Sequence, residues 1–163
     1  MELTSDAYRV VKALHLVTVI AGFGALALTP VWVGRARAAG SAGGAAVAAA
    51  GLQVARLAEW LLYAAGILGV LAVLVSDDVW QFSQAWISAA FVLYVAAIGV
   101  FHGMKLPALR RIAALLDPGS ARPAPADLAR EVEAAERKAA VATAIFDVVM
   151  VVAVVVMVWK PGA

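Results

Sequence analysis

Four stretches of this sequence carry almost no charge, and each is long enough to cross a bilayer, which leaves very few folds open. Lys12 and Arg35 bracket 22 uncharged residues, Ala13 to Gly34, where about 20 apolar residues at a rise of about 1.5 Å each cover the hydrocarbon core. The second stretch runs from Arg56 to Ser76 with an uncharged core from Trp60, sufficient when Arg56 and Glu59 reach headgroup level. Val79 to Met104 gives 26 uncharged residues, so this span must tilt or protrude. The fourth, Ala139 to Trp159, is broken by one charge, Asp147. A backbone in hydrocarbon must satisfy its own N–H and C=O groups, and segments of this length do so as helices. The expected fold is all-α, a four-transmembrane-helix bundle forming a single membrane domain over residues 1–163. Its spans fall at about 10–35, 55–76, 79–105 and 138–160, with a cytoplasmic linker at 106–137.

Composition supports this reading. The chain is 64% hydrophobic and 15% charged, against about 45–50% and about 25% for soluble globular domains, which sets aside the ordinary soluble enzymes. No cysteine is present, so disulfides, iron–sulfur clusters and thiolate zinc sites are excluded and any metal must use His, Asp, Glu or Met. Ten of the thirteen Lys and Arg residues fall between spans one and two or between spans three and four, Lys105 among them. The positive-inside rule then puts both termini outside and two loops in the cytoplasm. Such a chain is expected to be a multi-pass protein of the bacterial inner (plasma) membrane, with the lipid bilayer as its first partner. The basic loop residues follow topology and give no support to nucleic-acid binding.

Between the spans, Ala38 to Ala46 is Gly/Ala/Ser-rich and reads as a flexible connector. Asp117-Pro118-Gly119-Ser120 is expected to break the helical extension of span three, Arg122-Pro123-Ala124-Pro125 to run extended, and Asp127 to cap the next helix. Glu131, Glu133, Glu136, Arg137 and Lys138 read as a solvated, interfacial face. Trp32 and Trp60 are expected at the inner interface and Trp80, Trp86 and Trp159 at the outer. Small residues recur at helical spacing: Gly22 with Gly24, Gly66 with Gly69, and Gly99 four before Gly103. They predict close helix packing within the bundle, or a homodimer through Gly99 and Gly103.

Ionisable groups inside a span are expensive, so each survivor is a site hypothesis. His15 lies in the outer half, and Gln84 and Ser88, one turn apart, fall at a similar depth. This predicts an outer cluster in which His15 hydrogen-bonds Gln84 or a carbonyl, ligates a haem or metal, or relays protons. Asp147 is near the midplane with no basic residue at its level. Thr29, Tyr63 and Tyr94 are nearest in depth, so tyrosine hydroxyls are expected to bond a neutral carboxyl. His102 sits near the inner interface, within reach of Glu59 or Arg56. His15 and His102 occupy opposite leaflets and cannot clamp one haem together. A single-His haem, a haem shared between protomers, or a second ligand such as Met remains. No hydrolase elbow, P-loop, dinucleotide fingerprint or HExxH occurs, and no catalytic residue is assigned.

The run Lys12-Ala13-Leu14-His15, with Gly22-Phe23-Gly24 and Pro30 behind it, resembles the first span of bacterial four-helix membrane families around copper-resistance protein D and the haem-dependent membrane protoporphyrinogen oxidase. Trp86-Ile87-Ser88, the His102 to Arg111 stretch and Lys160-Pro161 extend the match, and integral membrane proteins of unknown function in that group are closer still. The resemblance implies haem b ligated through His15. It departs at Ala90, where the oxidase carries a lysine, and copper is disfavoured by scattered methionines at Met1, Met104, Met150 and Met157. Three readings stand: a haem- or porphyrin-binding membrane protein using His15, a cofactor-free accessory subunit, and a small proton-coupled transporter using Asp147.

Overall fold

In the computed structural model residues 5–77, 79–119 and 124–162 are described. Asp78 of the acidic hairpin and the linker residues Ser120, Arg122 and Pro123 lie outside the described residues. The elements are α1 (Asp6–Ala27), α2 (Thr29–Ala38), α3 (Gly40–Leu74), α4 (Ala85–Val100), a π-helical turn (Phe101–Lys105), α5 (Leu106–Leu116) and α6 (Pro125–Trp159). No strand occurs among the described residues. Joined end to end they form four rods, Asp6–Ala38, Gly43–Leu74, Ala85–Leu116 and Asp127–Trp159, each long and apolar enough to cross a membrane. Only 17% to 28% of the residues in their most apolar windows are covered by protein. Large side chains such as Val17, Ile20, Ile67, Val92, Val95 and Val158 point outward instead. A bundle that leaves such residues uncovered needs lipid around it.

Ser5 caps α1 by accepting from the Tyr8 amide at 3.3 Å. Pro30 breaks the first rod, because residue 30 of an unbroken helix would donate its amide to the Leu26 carbonyl and proline has none. The third rod has a comparable fault. Pro107 is preceded by the π-helical turn, in which the Leu106 amide donates to the Phe101 carbonyl. The wider turn makes room for the proline ring, which clashes with a carbonyl four residues back in a regular helix.

The rods are longer than the sequence spans, and the excess lies on the loop side. Ala38 to Ala46 is no flexible connector there. Ala39 ends α2, Gly40 at φ 69° turns the chain, and α3 begins at once. Alanine carries the best helix propensity, and it outweighs the glycines once α2 and α5 supply a surface to pack on. The stretch read as a cytoplasmic linker is mostly α5 and the first turns of α6. Their Ala108, Ile112, Leu115, Ala135 and Ala139 form a small core. Asp117 does end α5, its Oδ1 accepting from the Gly119 amide at 3.0 Å. Asp127, expected as a cap, lies instead in the first turn of α6 behind Ala124. Glu136 and Glu131 are not merely solvated: Arg37 of α2 pairs with Glu136 at 3.1 Å, and Arg111 of α5 pairs with Glu131.

The main core gathers Leu26, Leu62, Phe101, Leu106, Phe146 and Met150 at the level of the two faults. On the terminal side α1 packs on α3 and α4 on α6, and the two pairs draw apart. That separation creates the site.

Candidate functional site

The terminal-side gap is a cavity of about 220 Å³ between the two helix pairs. Its floor is apolar, with Val19, Leu62, Ile87 and Met150, and its rim carries Tyr8, Lys12, Trp80, Trp86 and Lys160. No Asp or Glu lines it among the described residues.

His15 enters from α1 and its Nδ1 donates to the Ala65 carbonyl of α3 at 2.9 Å. A carbonyl only accepts, so Nδ1 carries the proton and Nε2 keeps its lone pair in the neutral ring. Of the two partners expected for His15, the structure gives the carbonyl. Gln84 and Ser88 do not line the cavity. The Gln84 amide nitrogen donates to the Val79 carbonyl at 3.4 Å, and the Ser88 hydroxyl donates to the Phe82 carbonyl at 2.9 Å. Both fasten the turn before α4. Equal depth in the membrane did not bring them together, because Gln84 and Ser88 find carbonyl acceptors nearer in their own chain.

Two glycines owe their place to aromatic rings rather than to a neighbouring helix backbone. A Cβ on Gly66 would stand 2.5 Å from the Tyr94 hydroxyl oxygen, and one on Gly69 would stand 3.3 Å from Cε1 of His15. Tyr94 donates to the Leu62 carbonyl at 3.1 Å and so does not reach Asp147. Gly99 and Gly103 would meet nothing within 4 Å, so they do not serve packing inside the bundle.

The rim is one connected strip. Trp80 donates its indole N–H to the Tyr8 hydroxyl at 3.1 Å and meets Trp86 edge to face at 5.2 Å. Lys12 lies 5.3 Å from the Tyr8 ring centre, and Lys160 lies 4.0 Å from that of Trp80. Burial, and then the charge of Lys12, push Lys160 below the ordinary lysine range. The Trp86 indole nitrogen is buried without a hydrogen-bond partner among the described residues. Trp80 and Trp86 line the cavity mouth, and Trp159, 81% exposed, faces outward. Ser76, fully buried, donates to the Val73 carbonyl and accepts from the Trp80 amide at 3.1 Å, fixing the turn that delivers Trp80.

Methionines scattered in sequence converge here: Met150 and Met157, seven apart on α6, line the same cavity as His15. Ala90 lines it too, and the cations on its lining are Lys12 and Lys160 at the rim.

The remaining intramembrane polar groups lie toward the loop side. Tyr63 donates to Glu59 Oε1 at 3.0 Å and accepts from His102 Nε2 at 2.7 Å, and Glu59 and His102 are 3.5 Å apart. His102 thus meets Glu59, as its depth suggested. The tyrosine bonds expected for Asp147 are absent, since Tyr63 and Tyr94 are engaged elsewhere and Thr29 donates to the Leu26 carbonyl. A basic group does share its level. Lys105, expected among the loop charges, is fully buried; its Nζ donates to the Leu26 carbonyl at 2.8 Å and lies 5.0 Å from the Phe146 ring centre. It is within electrostatic reach of Asp147, whose Oδ1 is buried and has no hydrogen-bond partner among the described residues. The Leu26 carbonyl, which Pro30 cannot serve with a helical amide, accepts from both the Thr29 hydroxyl and the ammonium. No group of three or more His, Asp or Glu suited to a metal occurs among the described residues.

Four rods with exposed apolar faces around an internal core define a polytopic α-helical membrane protein. Residues 9–161 match the model of a family described as predicted integral membrane protein, DUF2269, and the chain belongs to that family. No curated protein and no solved structure matches it.

Proposed function

We propose that this is a bacterial inner-membrane protein that holds a haem or porphyrin-like ligand in the terminal-side cavity, with His15 Nε2 as the ligating atom. The observation that carries the reading is the bond from His15 Nδ1 to the Ala65 carbonyl. It orients the ring, fixes the tautomer and leaves Nε2 free on a residue that lines the cavity. The donor set fits the group. Small residues Ala65, Gly66, Gly69, Ala72 and Ala90 thin the walls, the floor is apolar, and Met150 and Met157 offer soft second ligands. His102 lies in the other half and has no part in it.

A bound haem supplies one-electron redox chemistry. The chain's own residues bind and orient it. Ala65 polarises His15 through the Nδ1 hydrogen bond, and the apolar floor with Trp80 and Trp86 at the rim would keep water from a bound haem.

The test is the oxidised and dithionite-reduced absorption spectrum of detergent-purified protein expressed with haem precursor, with His15→Ala and Met150→Ala/Met157→Ala beside it. A Soret band that disappears in His15→Ala and shifts in the methionine variant is expected. A colourless wild type that also takes up no added haemin would refute the reading. It would leave a cofactor-free accessory subunit, in which the Ala65 bond alone satisfies His15.

A further inference from the structure

Lys12 and Lys160 are two ammonium groups on one rim, and no carboxylate among the described residues lines the cavity with them. Neither forms an ion pair among the described residues, although five other ion pairs are made. They are joined by the aromatic strip Tyr8–Trp80–Trp86, so their spacing is set by packed rings rather than by free side chains. Like charges held near one another are unfavourable unless something negative is placed between them.

The backbone at Lys160 adds a second observation. The residue ends α6 in the left-handed region, φ 46° and ψ 58°, which residues other than glycine rarely adopt. Gly162, two residues on, also has a positive φ of 81°, but α6 is already ended at the lysine. The turn sends Lys160 back across the cavity mouth, 4.0 Å from the Trp80 ring centre and 5.6 Å from that of Trp86. A third observation is the buried Trp86 indole N–H, a donor on the same lining that has no acceptor among the described residues.

From these we infer that Lys12, Lys160 and the Trp86 indole form an anion clamp at the cavity mouth, which takes the carboxylate groups of an amphiphile whose apolar body fills the space beneath. The clamp deepens the proposed function, since a porphyrin bearing carboxylate side chains presents this chemistry, and it rests on that reading. The apolar floor accepts the body through burial alone, and the rim reads the charged end through charge-assisted hydrogen bonds.

The experiment compares haemin with its dimethyl ester, which keeps the ring and the iron but lacks the two negative charges. Binding to wild type, Lys12→Gln, Lys160→Gln and the double variant in neutral detergent is followed at the Soret band. Wild type is expected to prefer the free acid by about ten-fold or more. Each glutamine variant should lose about ten-fold for the acid with the ester unchanged, which also reports that the variant is folded. Lys160→Arg should retain the preference. Equal binding of acid and ester by wild type, or equal loss of both in the variants, overturns the clamp and leaves haem ligation by His15 standing. If wild type binds neither porphyrin, the proposed function fails and the clamp is decided with cis-parinaric acid. Lysine-dependent fluorescence then supports the clamp for a fatty-acid ligand, and lysine-independent or absent binding overturns it.

Discussion

Lys105 carries the most exposed prediction, because a fully buried ammonium has to be balanced by particular neighbours. Lys105→Met keeps the length and apolar stem but removes the donor to the Leu26 carbonyl and the only cation within electrostatic reach of Asp147 among the described residues. A hydrogen bond from a charged donor contributes about 1.5–3 kcal/mol. Removing one member of a buried charge pair costs about 3–5 kcal/mol in all, because the other is left without compensation. The Leu26 carbonyl keeps the Thr29 hydroxyl at 2.5 Å, which places the expected loss near the lower end, about 3 kcal/mol. Asp147→Asn leaves the Lys105 ammonium without its counter-charge, but the ammonium keeps the Leu26 carbonyl, so the expected loss is smaller, about 1–2 kcal/mol. The double variant strands no charge, so its loss should fall short of the sum of the single losses by about 1–3 kcal/mol. Reversible unfolding in mixed micelles of increasing SDS fraction, followed by tryptophan fluorescence, measures the cycle. Additivity of the two losses to within about 0.5 kcal/mol would refute the coupling, and a Lys105→Met variant as stable as wild type would refute the whole account of the buried ammonium.

Gly66→Ala should destabilise by about 1–3 kcal/mol and release Tyr94 from the Leu62 carbonyl, since its Cβ would meet a ring that packing holds in place. Gly99→Ala and Gly103→Ala meet open space and should gain up to about 1 kcal/mol each in monomeric protein; thermal shift measurements on the three separate a cavity wall from a free face. Affinity for haemin should fall on raising the pH through a range below that of an ordinary lysine, because burial and Lys12 favour neutral Lys160. Lys160→Arg, which stays charged, should carry binding to higher pH in the same Soret titration. Arg37→Ala should cost about 0–1 kcal/mol in the SDS assay despite the 3.1 Å pair with Glu136, because the arginine is 71% exposed.

The four rods were legible because lipid imposes a length and an absence of charge that no other environment demands. What the sequence hid were places where one backbone irregularity redirected a side chain. Lys105 stands at the end of an apolar run and reads as a topology signal. Its inward partners, the Leu26 carbonyl that Pro30 leaves without a helical amide and Asp147, lie in two other rods. His15 was legible as an intramembrane polar residue, but not its partner, since any of several carbonyls could accept its proton. Met150 and Met157 lie far from His15 in sequence, and their seven-residue spacing marked one helix face without saying what that face meets. Gly66 and Gly69 carried a spacing signal whose usual meaning is helix packing, whereas here the missing Cβ atoms make space for two rings. Ala38 to Ala46 was misjudged because flexibility was read from glycine and serine while alanine decided the local state.

The two breaks in the rods stand at one depth and are tied across the bundle by the bond from Lys105 to the Leu26 carbonyl. Below that level α5 and the first part of α6 are bound together; above it the helix pairs diverge. From Leu26 to Lys12 is 14 residues, an arm of about 21 Å at helical rise. A rigid tilt of about 5° at that level would move the rim by about 2 Å, so a small change in packing around Lys105 would translate into the width of an opening some 20 Å away.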